Sequence, residues 1–533
     1  MTLRLGLLVD STTVPAWIAH LARRLAALDG ARVAAISSAD LPPAPRTLLD
    51  SFLALDERLQ RGASGLFVPS DLKAALPDVP VISAEDINSQ QFDILIDFCN
   101  LSLRAQRSNP RLGTWTWNSL APSTGFRAVL NRAPLMTCQL ISRHPSGEDS
   151  LLREAVFATD WISVTRNRNH FFIKAAATLL WALKKLILEG EEKFFSRPPV
   201  SAAVALPLAS SPTAGRTIEA GAKVSESEAK IEIGEIAALA IKQATRKLEK
   251  FTRPRETWLL LAGKRAGGLV PEWAESHPIV PPRDVYWADP MAVERDGCIH
   301  LFVEEYVREI RRGRIVCLTL DEDGRVASHQ VALERPYHLS YPFIFEHKNE
   351  TYMIPETASR RAVELYRCAR WPDRWEFVRA LMSDTYAVDT TLLEHGGRWW
   401  LFTNLKTEAG ASSWDELHLF FADDPLSTNW TPHPLNPVIS DVRTARPAGK
   451  IFSFDGQLYR PSQDSSLRYG CALNLNRIET LTERDYAETR LETIQPPRGL
   501  LTTHTYARAG DWVFIDGATR DVNQFTADKQ DKH

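Results

Sequence analysis

The 533-residue sequence has few cysteines and no block of like charge, and each absence excludes a class of protein. Its six cysteines are scattered without a C-x-x-C pair, which argues against a disulfide framework or a zinc site and favours reduced thiols. The 63 basic residues nearly balance the 66 acidic ones, so no surface for nucleic acid or an anionic membrane is indicated. We therefore expect neither a bound metal nor a nucleic-acid partner.

Long hydrophobic runs are also missing. The apolar run before Asp10 is too short for the core of a signal peptide. The most apolar helical segment, AAATLLWALKKLILEG (175–190), is interrupted by two lysines and falls short of the roughly 20 residues that span a bilayer. The sequence therefore predicts a cytoplasmic protein without a transmembrane segment. We interpret 175–190 as an amphipathic helix packed on a core, with a membrane-surface helix as the alternative.

The first 190 residues alternate strand and helix signals. Strand-like runs such as LRLGLLVD (3–10) and FDILIDF (92–98) are separated by amphipathic stretches such as WIAHLARRLAAL (17–28). Apolar strands that alternate with helices are typical of a parallel sheet covered on both faces. We therefore predict a Rossmann-like α/β domain over 1–190.

The composition changes over residues 191–255. Segment 197–216 is rich in Pro, Ala and Ser, as linkers are. Segment 225–251 opens on a Ser/Glu capping pattern, has apolar residues at helical spacing and ends in basic residues. We predict a linker followed by a connecting helix over 191–255, and a disordered tail over 519–533.

The second half of the chain contains a repeat. Five segments align without gaps as β-hairpins, each with a turn residue at the eighth position where a positive φ is needed. They are PMAVERDGCIHLFVE (290–304), PFIFEHKNETYMIPE (342–356), TTLLEHGGRWWLFTN (390–404), GKIFSFDGQLYRPSQ (449–463) and THTYARAGDWVFIDG (503–517). A spacing of about 50 residues is that of propeller blades. The sequence predicts a five-bladed β-propeller over 256–518, closed by ETWLLLAG (256–263) in the fifth blade.

The hairpin register predicts which residues meet at one end of the propeller. In each hairpin the residue before the first position lies opposite the fifteenth. The predicted pairs are Asp289 with Glu304, Tyr341 with Glu356, Asp389 with Asn404, Ala448 with Gln463, and Thr502 with Gly517. If the first strand of each blade is innermost, all five pairs ring one mouth of the central channel.

Acidic, basic and aromatic side chains gather at this predicted mouth. Four carboxyl groups are candidates for general acid, general base or charge stabiliser at an anomeric centre, namely Asp289, Glu304, Glu356 and Asp389. Other polar or aromatic residues in or near the hairpins are candidates for binding a sugar or sugar phosphate, namely His338, Tyr341, Arg446, Arg460, Gln463, Asp464 and His504. The alternative is that these groups only satisfy strand ends and channel waters.

Several motifs in this half resemble known families. ADP (288–290) and VDTTLL (388–393) resemble the Asp-bearing inner strands of five-bladed glycoside hydrolases of the arabinanase and levansucrase type. A second set resembles the propeller-like region of the glucosamine inositolphosphorylceramide transferase family and its bacterial relatives, namely HLSYPF (338–343), YMIPET (352–357), ARPAG (445–449) and YRPSQD (459–464). In the plant members of that family the region accompanies a separate glycosyltransferase domain, which is not visible in this sequence.

One departure separates the sequence from the glycosidases it resembles. The Glu-Gly-Pro type segment that carries their general acid is absent from the fourth blade, where Arg446-Pro447-Ala448-Gly449 stands instead. This departure weakens the case for hydrolysis. The resemblance leaves Glu356 as an acid that could act from another blade.

The first half resembles a formyltransferase-type domain. DILIDF (93–98) is followed by GTWTWNSLAPS (113–123), where that fold carries an Asn-x-His-Pro-Ser loop, and Asn118 stands at the His position. Because Asn does not titrate usefully, we favour a non-formylating domain that retained sugar or nucleotide binding. The resemblance implies a remnant site with Asn118 and Asp149. Arg166 and Arg168, in the basic run 164–174, are either phosphate contacts or part of a solvated helix start.

Three functional hypotheses follow. The first is an enzyme of surface-polysaccharide or glycolipid biosynthesis that transfers or trims a sugar at the propeller mouth, acting on a small-molecule or glycan substrate. It requires no cofactor beyond a possible nucleotide-sugar donor, and a partner glycosyltransferase is possible. The second is a non-catalytic carbohydrate-binding scaffold. The third is a sugar N-formyltransferase with a degenerate active-site loop.

Overall fold

The computed structural model describes residues 2–38, 47–60, 65–83, 86–99, 110–121, 123–144, 149–196, 231, 233–252, 255–265, 267–497 and 499–525. These residues form two compact units. The first unit comprises 1–155 and 159–251, and the second comprises 156–158 and 252–533. The predicted linker 197–216 lies outside the described residues.

The described part of the first unit contains nine strands. They are β1 (Leu3–Val9), β2 (Thr13–Pro15), β3 (Ala31–Ser38), β4 (Pro69–Asp71), β5 (Val81–Ser83), β6 (Ile94–Asp97), β7 (Thr114–Trp117), β8 (Leu135–Arg143) and β9 (Asp149–Ala158). Strands β2 and β4 pair as a separate two-stranded sheet, and the other seven form one sheet. Its helices are α1 (Ala16–Ala26), α2 (Leu48–Gln60), α3 (Leu72–Ala75), α4 (Phe126–Asn131), α5 (Val164–Glu189), α6 (Glu191–Ser196) and α7 (Ile233–Thr252). The predicted α/β class is confirmed.

The strand order of the seven-stranded sheet is β5-β3-β1-β6-β7-β8-β9. The five strands from β5 to β7 pair in parallel, as predicted. However, β8 runs antiparallel to β7, with Thr114 opposite Arg143, so the sheet is mixed. The sequence missed this reversal because apolar runs show where a strand lies and not which way it runs.

Helix α5 contains residues 175–189 of the predicted apolar helix, with Gly190 as its C-cap, and begins eleven residues earlier, at Val164. Ser163 caps its N-terminus, because the Ser163 hydroxyl accepts the backbone N–H of Arg166 at 3.1 Å. Its buried face includes Phe171, Leu179 and Leu183, which confirms a helix packed on a core. Among the described helices, none combines the length and apolarity that a membrane crossing requires.

The predicted connecting helix is instead part of the first unit. Leu239 of α7 is fully buried in a cluster with Leu53 and Phe126. Glu235 pairs with Arg127 at 3.2 Å, which fixes a second point on the same helix. The domain boundary predicted at residue 190 was therefore wrong for α6 and α7. Helical spacing alone could not show which unit the apolar face of α7 would cover.

The second unit contains five sheets, which are the blades of a five-bladed β-propeller. Blade 1 comprises β12 (Val285–Arg295), β13 (Cys298–Val307), β14 (Arg312–Leu320) and β15 (Val326–Leu333). Blade 2 comprises β16 (Ser340–His347), β17 (Glu350–Glu356), β18 (Ala362–Arg370) and β19 (Arg374–Ser383). Blade 3 comprises β20 (Ala387–His395), β21 (Arg398–Leu405), β22 (Glu416–Ala422), β23 (Thr431–Pro432) and β24 (Ile439–Ser440). Blade 4 comprises β25 (Phe452–Phe454), β26 (Gln457–Asp464), β27 (Ala472–Leu481) and β28 (Tyr486–Ile494).

Blade 5 joins the two ends of the unit. It contains β29 (Tyr506–Ala509) and β30 (Trp512–Thr519) together with β10 (Thr257–Lys264) and β11 (His277–Ile279). Strand β10 pairs antiparallel with β30 along its whole length, as predicted for ETWLLLAG. The predicted turn residues also have positive φ, namely Gly297, Asn349, Gly397, Gly456 and Gly510. The propeller, its repeat and its closure are therefore confirmed.

The apolar core of the propeller lies between neighbouring blades. Phe302 of blade 1 and Phe343 of blade 2 share one buried cluster, and Trp287 of blade 1 packs with Phe514 of blade 5 in another. Burying side chains on both faces of each sheet stabilises the contacts between blades.

The predicted tail begins later than 519. Thr519 ends β30, and Val522–Phe525 form a short 3-10 helix. The Gln524 side chain donates to the Gly499 carbonyl at 3.1 Å, and Phe525 packs on the core of blades 4 and 5. The tail assignment was wrong for 519–525, because polar composition did not reveal these contacts. Residues 526–533 lie outside the described residues.

Candidate functional site

Three inner strands of the propeller carry a bulge at the same position. The ladders of β12, β16 and β20 change register beside Asp289, Tyr341 and Asp389. These residues have φ values of 54°, 42° and 51°, a left-handed conformation that is uncommon outside glycine. Because such backbone costs free energy, its recurrence in three blades indicates that the bulges aim these side chains at a site.

The bulges displace the predicted pairs by one residue. Glu304 lies opposite Ala288 instead of Asp289, Glu356 opposite Ser340 instead of Tyr341, and Asn404 opposite Val388 instead of Asp389. In blade 4 the Gln463 backbone N–H donates to the Arg446 carbonyl, so Gln463 is not opposite Ala448. In blades 1, 2 and 3 the bulged residue is therefore the chain neighbour of the residue that lies opposite the predicted partner. We call Asp289, Glu304, Glu356, Asp389, Arg446, Gln463, His504 and Asp516 the central cluster.

One half of the central cluster is an interlocked network around Asp289. The Asp289 carboxylate accepts the Tyr341 N–H at 3.1 Å and the Thr505 hydroxyl at 3.0 Å. Its own N–H donates to Asp516 at 2.9 Å. Asp516 also accepts the N–H of His504 at 2.9 Å and pairs with the His504 ring at 2.6 Å. The network ties the inner strands of blades 1, 2 and 5 together.

Asp289, His504 and Asp516 offer ligand atoms within 4.8 Å of one another, a spacing that could hold a metal ion. However, burial would lower the pKa of His504, whereas Asp516 and Asp289 raise it above its usual value. Burial would raise the pKa of Asp516, but His504 holds it below its usual value. Without a bound cation, these pKa directions describe an ion pair between His504 and Asp516.

The other half of the cluster centres on Asp389. Arg446 donates to its Oδ2 atom at 2.5 Å, and Gln463 donates to the same oxygen at 2.9 Å. The Arg446 guanidinium also lies 3.8 Å from Glu356. Asp389 and Glu356 lie within hydrogen-bonding reach of each other. A carboxylate held by one arginine thus sits beside a second carboxyl group.

Three carboxyl groups of the central cluster have a raised pKa. Burial, reinforced by Asp289, raises the pKa of Glu304 well above its usual range. Burial, reinforced by Asp389, does the same to the pKa of Glu356. Burial also raises the pKa of Asp289 to about 6, although His504 opposes this change. The cluster therefore presents protonated carboxyl groups beside ionised ones, as acid–base chemistry requires.

The fifteenth hairpin position carries buried oxygens that lack a donor among the described residues. They are Glu304 Oε1, Asn404 Oδ1 and Gln463 Oε1. A buried acceptor without a donor is unfavourable. Oxygens of this kind are where the hydroxyl groups of a ligand could donate.

Tyr341 links neighbouring blades beside the central cluster. Its hydroxyl accepts the Gly449 N–H at 2.7 Å and bonds to the Thr391 hydroxyl at 2.9 Å. The side chain is fully buried. Tyr341 thus holds blades 2, 3 and 4 in register, and its predicted role in binding substrate stays a prediction.

His338 lies beside Glu304, with its Nε2 atom 3.6 Å from Glu304 Oε1. The His338 side chain is 40% exposed, whereas the Glu304 side chain is 8% exposed. Burial lowers the pKa of His338 below its usual value, so the ring is neutral.

Two predicted binding residues point elsewhere. Arg460 is buried within blade 4, where it pairs with Glu488 through two bonds of 2.7 Å. Asp464 accepts the Ser466 N–H at 2.9 Å and so shapes the following turn. The structure does not bring these two side chains into the central cluster, because both are an odd number of residues from Gln463, which bonds to Asp389, and so lie on the other face of β26.

The four predicted residues of the first unit do not converge. Asn118 donates to the Thr137 carbonyl at 3.1 Å and accepts the Gln139 N–H at 3.0 Å, both within β8, whereas Asp149 is the first residue of β9. Arg166 is exposed and pairs with Asp160 at 3.0 Å. Arg168 is buried, with its guanidinium 3.9 Å from the centre of the Phe67 ring. Their prediction as one site is therefore not supported by this geometry.

Sequence reasoning missed Asp516 and Tyr469. The signal for Asp516 was its place beside Gly517 in the fifth hairpin, next to the aligned position. Tyr469 lies in the loop after β26, with its ring 5.0 Å from the Arg446 guanidinium and 5.2 Å from the His504 ring. No periodic signal marks a loop residue of this kind.

Residues 280–499 match the family described as "Glucosamine inositolphosphorylceramide transferase 1, N-terminal". The proteins named glucosamine inositolphosphorylceramide transferase 1 from Oryza sativa subsp. japonica and Arabidopsis thaliana are 35% and 31% identical over 204 and 209 residues. These matches cover 38% and 39% of this chain but 27% of each relative. The chain is thus similar to about a quarter of these proteins, and the predicted resemblance of the propeller region is confirmed.

Solved structures show weaker likenesses. Zg3597, a family 117 glycoside hydrolase from Zobellia galactanivorans, is 12% identical, with 45% of this chain and 86% of that chain covered and a TM-score of 0.33. The catalytic domain of a Coprinopsis cinerea GH62 α-L-arabinofuranosidase is 14% identical, with 45% and 94% covered and a TM-score of 0.35. These values are low, and the propeller is assigned from its own strand order.

Proposed function

We propose that the chain is a carbohydrate-active enzyme that transfers or trims a sugar at the central cluster, in the assembly of a surface polysaccharide or glycolipid. One observation carries this proposal. Glu356, a buried carboxyl group whose pKa is raised, lies beside Asp389, which an arginine and a glutamine hold in place. A proton donor next to a fixed carboxylate is the arrangement used at an anomeric centre.

In this proposal Glu356 donates its proton to the oxygen that leaves the anomeric carbon. Asp389 stabilises the positive charge that develops there or accepts a proton from the incoming hydroxyl group. Arg446 holds Asp389 in place, since its Nε–H donates to Asp389 Oδ2 at 2.5 Å. Asp289, whose network fixes the inner strands, completes the acidic centre.

The position of the family match supports this assignment. The segment shared with the transferases spans Glu304, Glu356, Asp389, Arg446 and Gln463. These residues make up most of the central cluster. By analogy with the names of those relatives, we propose that the substrate is a glycan or glycolipid and the donor a nucleotide sugar, with a separate glycosyltransferase as a possible partner.

For the first unit, we propose a formyltransferase-like fold that binds a sugar or nucleotide without transferring a formyl group. The residue at position 118 supports the absence of formyl transfer, because an Asn side chain does not titrate usefully and this one is bonded to the backbone of β8. We also propose a cytoplasmic location, which free thiols at all six cysteines support.

The test compares two Glu→Gln variants of the full chain, both on β17. Glu356→Gln keeps the shape of a protonated acid but cannot deliver the proton, so turnover should fall roughly 10²- to 10⁴-fold. Glu350→Gln is the control, because Glu350 is 45% exposed and only loosely paired with Arg367 at 3.7 Å. The substrate is the sugar, nucleotide sugar or glycan that gives the largest thermal shift in a screen that also contains folates.

Full turnover by the Glu356→Gln variant would contradict the proposal. If the wild-type chain binds a glycan without turning it over, the binding-scaffold alternative replaces it. If only folates stabilise the protein, sugar N-formylation becomes the better hypothesis.

A further inference from the structure

Two adjacent carboxyl groups on β13 have opposite surroundings. Glu305 accepts two bonds from Arg314, at 2.9 and 2.7 Å, and one from Trp287 at 3.1 Å. It also lies 3.0 Å from the His329 ring. Glu304 points to the other face of the strand, and its buried Oε1 atom has no donor among the described residues. One carboxyl group is satisfied by the protein, whereas its neighbour is not.

The group that faces Glu304 Oε1 is a histidine in a defined tautomer. The Gly313 N–H donates to His338 Nδ1 at 2.9 Å, so the proton of the neutral ring is on Nε2. Nε2 lies 3.6 Å from Glu304 Oε1, which is too long for a hydrogen bond. One oxygen of a ligand could therefore accept from Nε2 while its own proton goes to Oε1.

Gly313 makes the space for this arrangement. A Cβ atom at this position would lie 2.4 Å from the Leu339 carbonyl oxygen, 2.7 Å from Glu304 Oε1 and 2.8 Å from His338 Cε1. Backbone and side chain would both have to move. Only glycine allows Glu304 and His338 to approach each other in this way.

An aromatic wall stands next to the histidine. The rings of Tyr286 and Tyr306 are stacked with centres 4.7 Å apart and planes within 5°. The Tyr306 ring lies 6.2 Å from the His338 ring. Both tyrosines are half-buried. Ligand sites combine such aromatic surfaces with a few placed polar groups.

We propose that Glu304, His338 and Gly313 form a subsite that binds a hydroxyl group of an uncharged sugar, with Tyr306 flanking it. The subsite deepens the proposed function and depends on it. It differs from the Asp389–Arg446 pair in its residues and in the blades that supply them.

The charges around the subsite select an uncharged ligand. His338 is neutral, and the facing group is a carboxyl that cannot attract a phosphate. Arg312, next to Gly313 in the chain, lies 3.5 Å from Glu334 and is paired with it. At Glu304 and His338 a sugar phosphate would therefore find a carboxyl group and a neutral ring. The cation beside the aromatic wall is Arg308, whose guanidinium lies 5.8 Å from the centre of the Tyr286 ring and donates to the Thr257 hydroxyl at 3.0 Å.

The test measures sugar binding to the full chain by calorimetry. The probes are glucose, galactose, mannose, xylose, arabinose and N-acetylglucosamine, each uncharged, together with the 1-phosphates of these sugars. His338→Asn keeps an acceptor for the Gly313 N–H but loses the Nε2 donor, so the best uncharged probe should bind about ten-fold more weakly. His329→Asn is the matched control, because His329 faces Glu305, whose oxygens already have donors. The His329→Asn variant should bind the same probe with the affinity of the wild-type chain.

Deoxy analogues of the best probe identify the hydroxyl group. The analogue that lacks the bound hydroxyl should lose no further affinity in the His338→Asn variant, whereas the other analogues should still lose about ten-fold. Gly313→Ala should weaken binding at least as much as His338→Asn. If Gly313→Ala does not fold, the His338→Asn measurement still decides.

The outcomes separate this proposal from the one it depends on. Unchanged affinity in His338→Asn, with turnover still lost in Glu356→Gln, overturns the subsite and leaves the proposed function standing. Preference for a 1-phosphate that depends on His338 overturns the uncharged class. If no probe binds and Glu356→Gln retains full turnover on its own substrate, both proposals fail.

Discussion

A set of site residues was predicted from the sequence in both the propeller and the first unit, but only the set in the propeller comes together. In the propeller, Asp289, Glu304, Glu356, Asp389 and Arg446 come together around shared hydrogen bonds and charges. In the first unit, Asn118, Asp149, Arg166 and Arg168 lie apart, and the interactions of Asn118 and Arg166 are made within the unit itself. The difference teaches that a position repeated across five hairpins is a geometric constraint, whereas the resemblance of a single loop to a family motif is not.

The largest expected effect tests whether the central cluster holds the propeller together. Asp516→Asn removes the partner of a protonated His504 and weakens the bonds that Asp516 accepts from three backbone N–H groups. Leaving one charge of a buried pair unbalanced should cost about 3–5 kcal/mol of unfolding free energy. Denaturant unfolding of the full chain measures it.

The control for this prediction is Asp511→Asn in the same blade. Asp511 is 82% exposed and lies 3.8 Å from Arg265, so its replacement should have little effect. Equal stability of the two variants would show that the network around Asp289 is not structural. The contrast with the first unit would then lose its physical basis.

A smaller effect appears in the pH dependence of stability. The folded-state pKa of Glu356 is raised, so its contribution is fully present below the usual carboxyl pKa and is lost as the pH rises through the folded value. Between pH 5 and 9, the melting temperature of the Glu356→Gln variant should therefore fall less steeply than that of the wild-type chain. Each kcal/mol of difference in unfolding free energy should appear as a difference on the order of 2–4 °C in melting temperature.

The difference between the two pH curves can be assigned to Glu356 for two reasons. Other groups whose pKa is raised, such as Asp97 and His504, are common to both proteins and cancel in the difference. Glu350→Gln, on the same strand, should follow the wild-type curve because Glu350 is exposed. A parallel curve for Glu356→Gln would mean that Glu356 is ionised in the folded protein, and its role as proton donor would be wrong.

The smallest effects concern the first unit. Arg166→Ala breaks an exposed ion pair and should change stability by less than about 1 kcal/mol. It should not alter the thermal shift produced by the sugar that Glu356→Gln tests. If Arg166→Ala abolishes that shift, the ligand contacts the first unit, and the assignment of the site to the propeller alone is wrong.

Much of the propeller could be predicted because its constraint is periodic. Turn residues such as Gly297 and Gly456 need a positive φ, and the strand pattern between them fixes which hairpins share a register. The bulge beside Asp289 could not be predicted, because one extra residue does not change the apolar alternation on either side of it. The position of the Arg460 side chain could not be predicted either, because its partner Glu488 lies two strands further along the blade.

Other features depend on contacts that no local pattern encodes. The docking of α7 through Leu239 requires a complementary apolar surface formed by residues more than a hundred positions earlier. Tyr469 reaches Arg446 from a loop without regular spacing. Elements defined by spacing were therefore predictable, whereas elements defined by what they pack against were not.

Hydrogen–deuterium exchange of the intact chain, with and without saturating sugar, tests the central claim most directly. The sugar is the one that gives the largest thermal shift, and exchange is compared peptide by peptide. We predict protection in peptides that cover 285–307, 338–357 and 387–405, with no change over 113–121 and 164–174. Protection confined to the two segments of the first unit would contradict the assignment of the site to the central cluster.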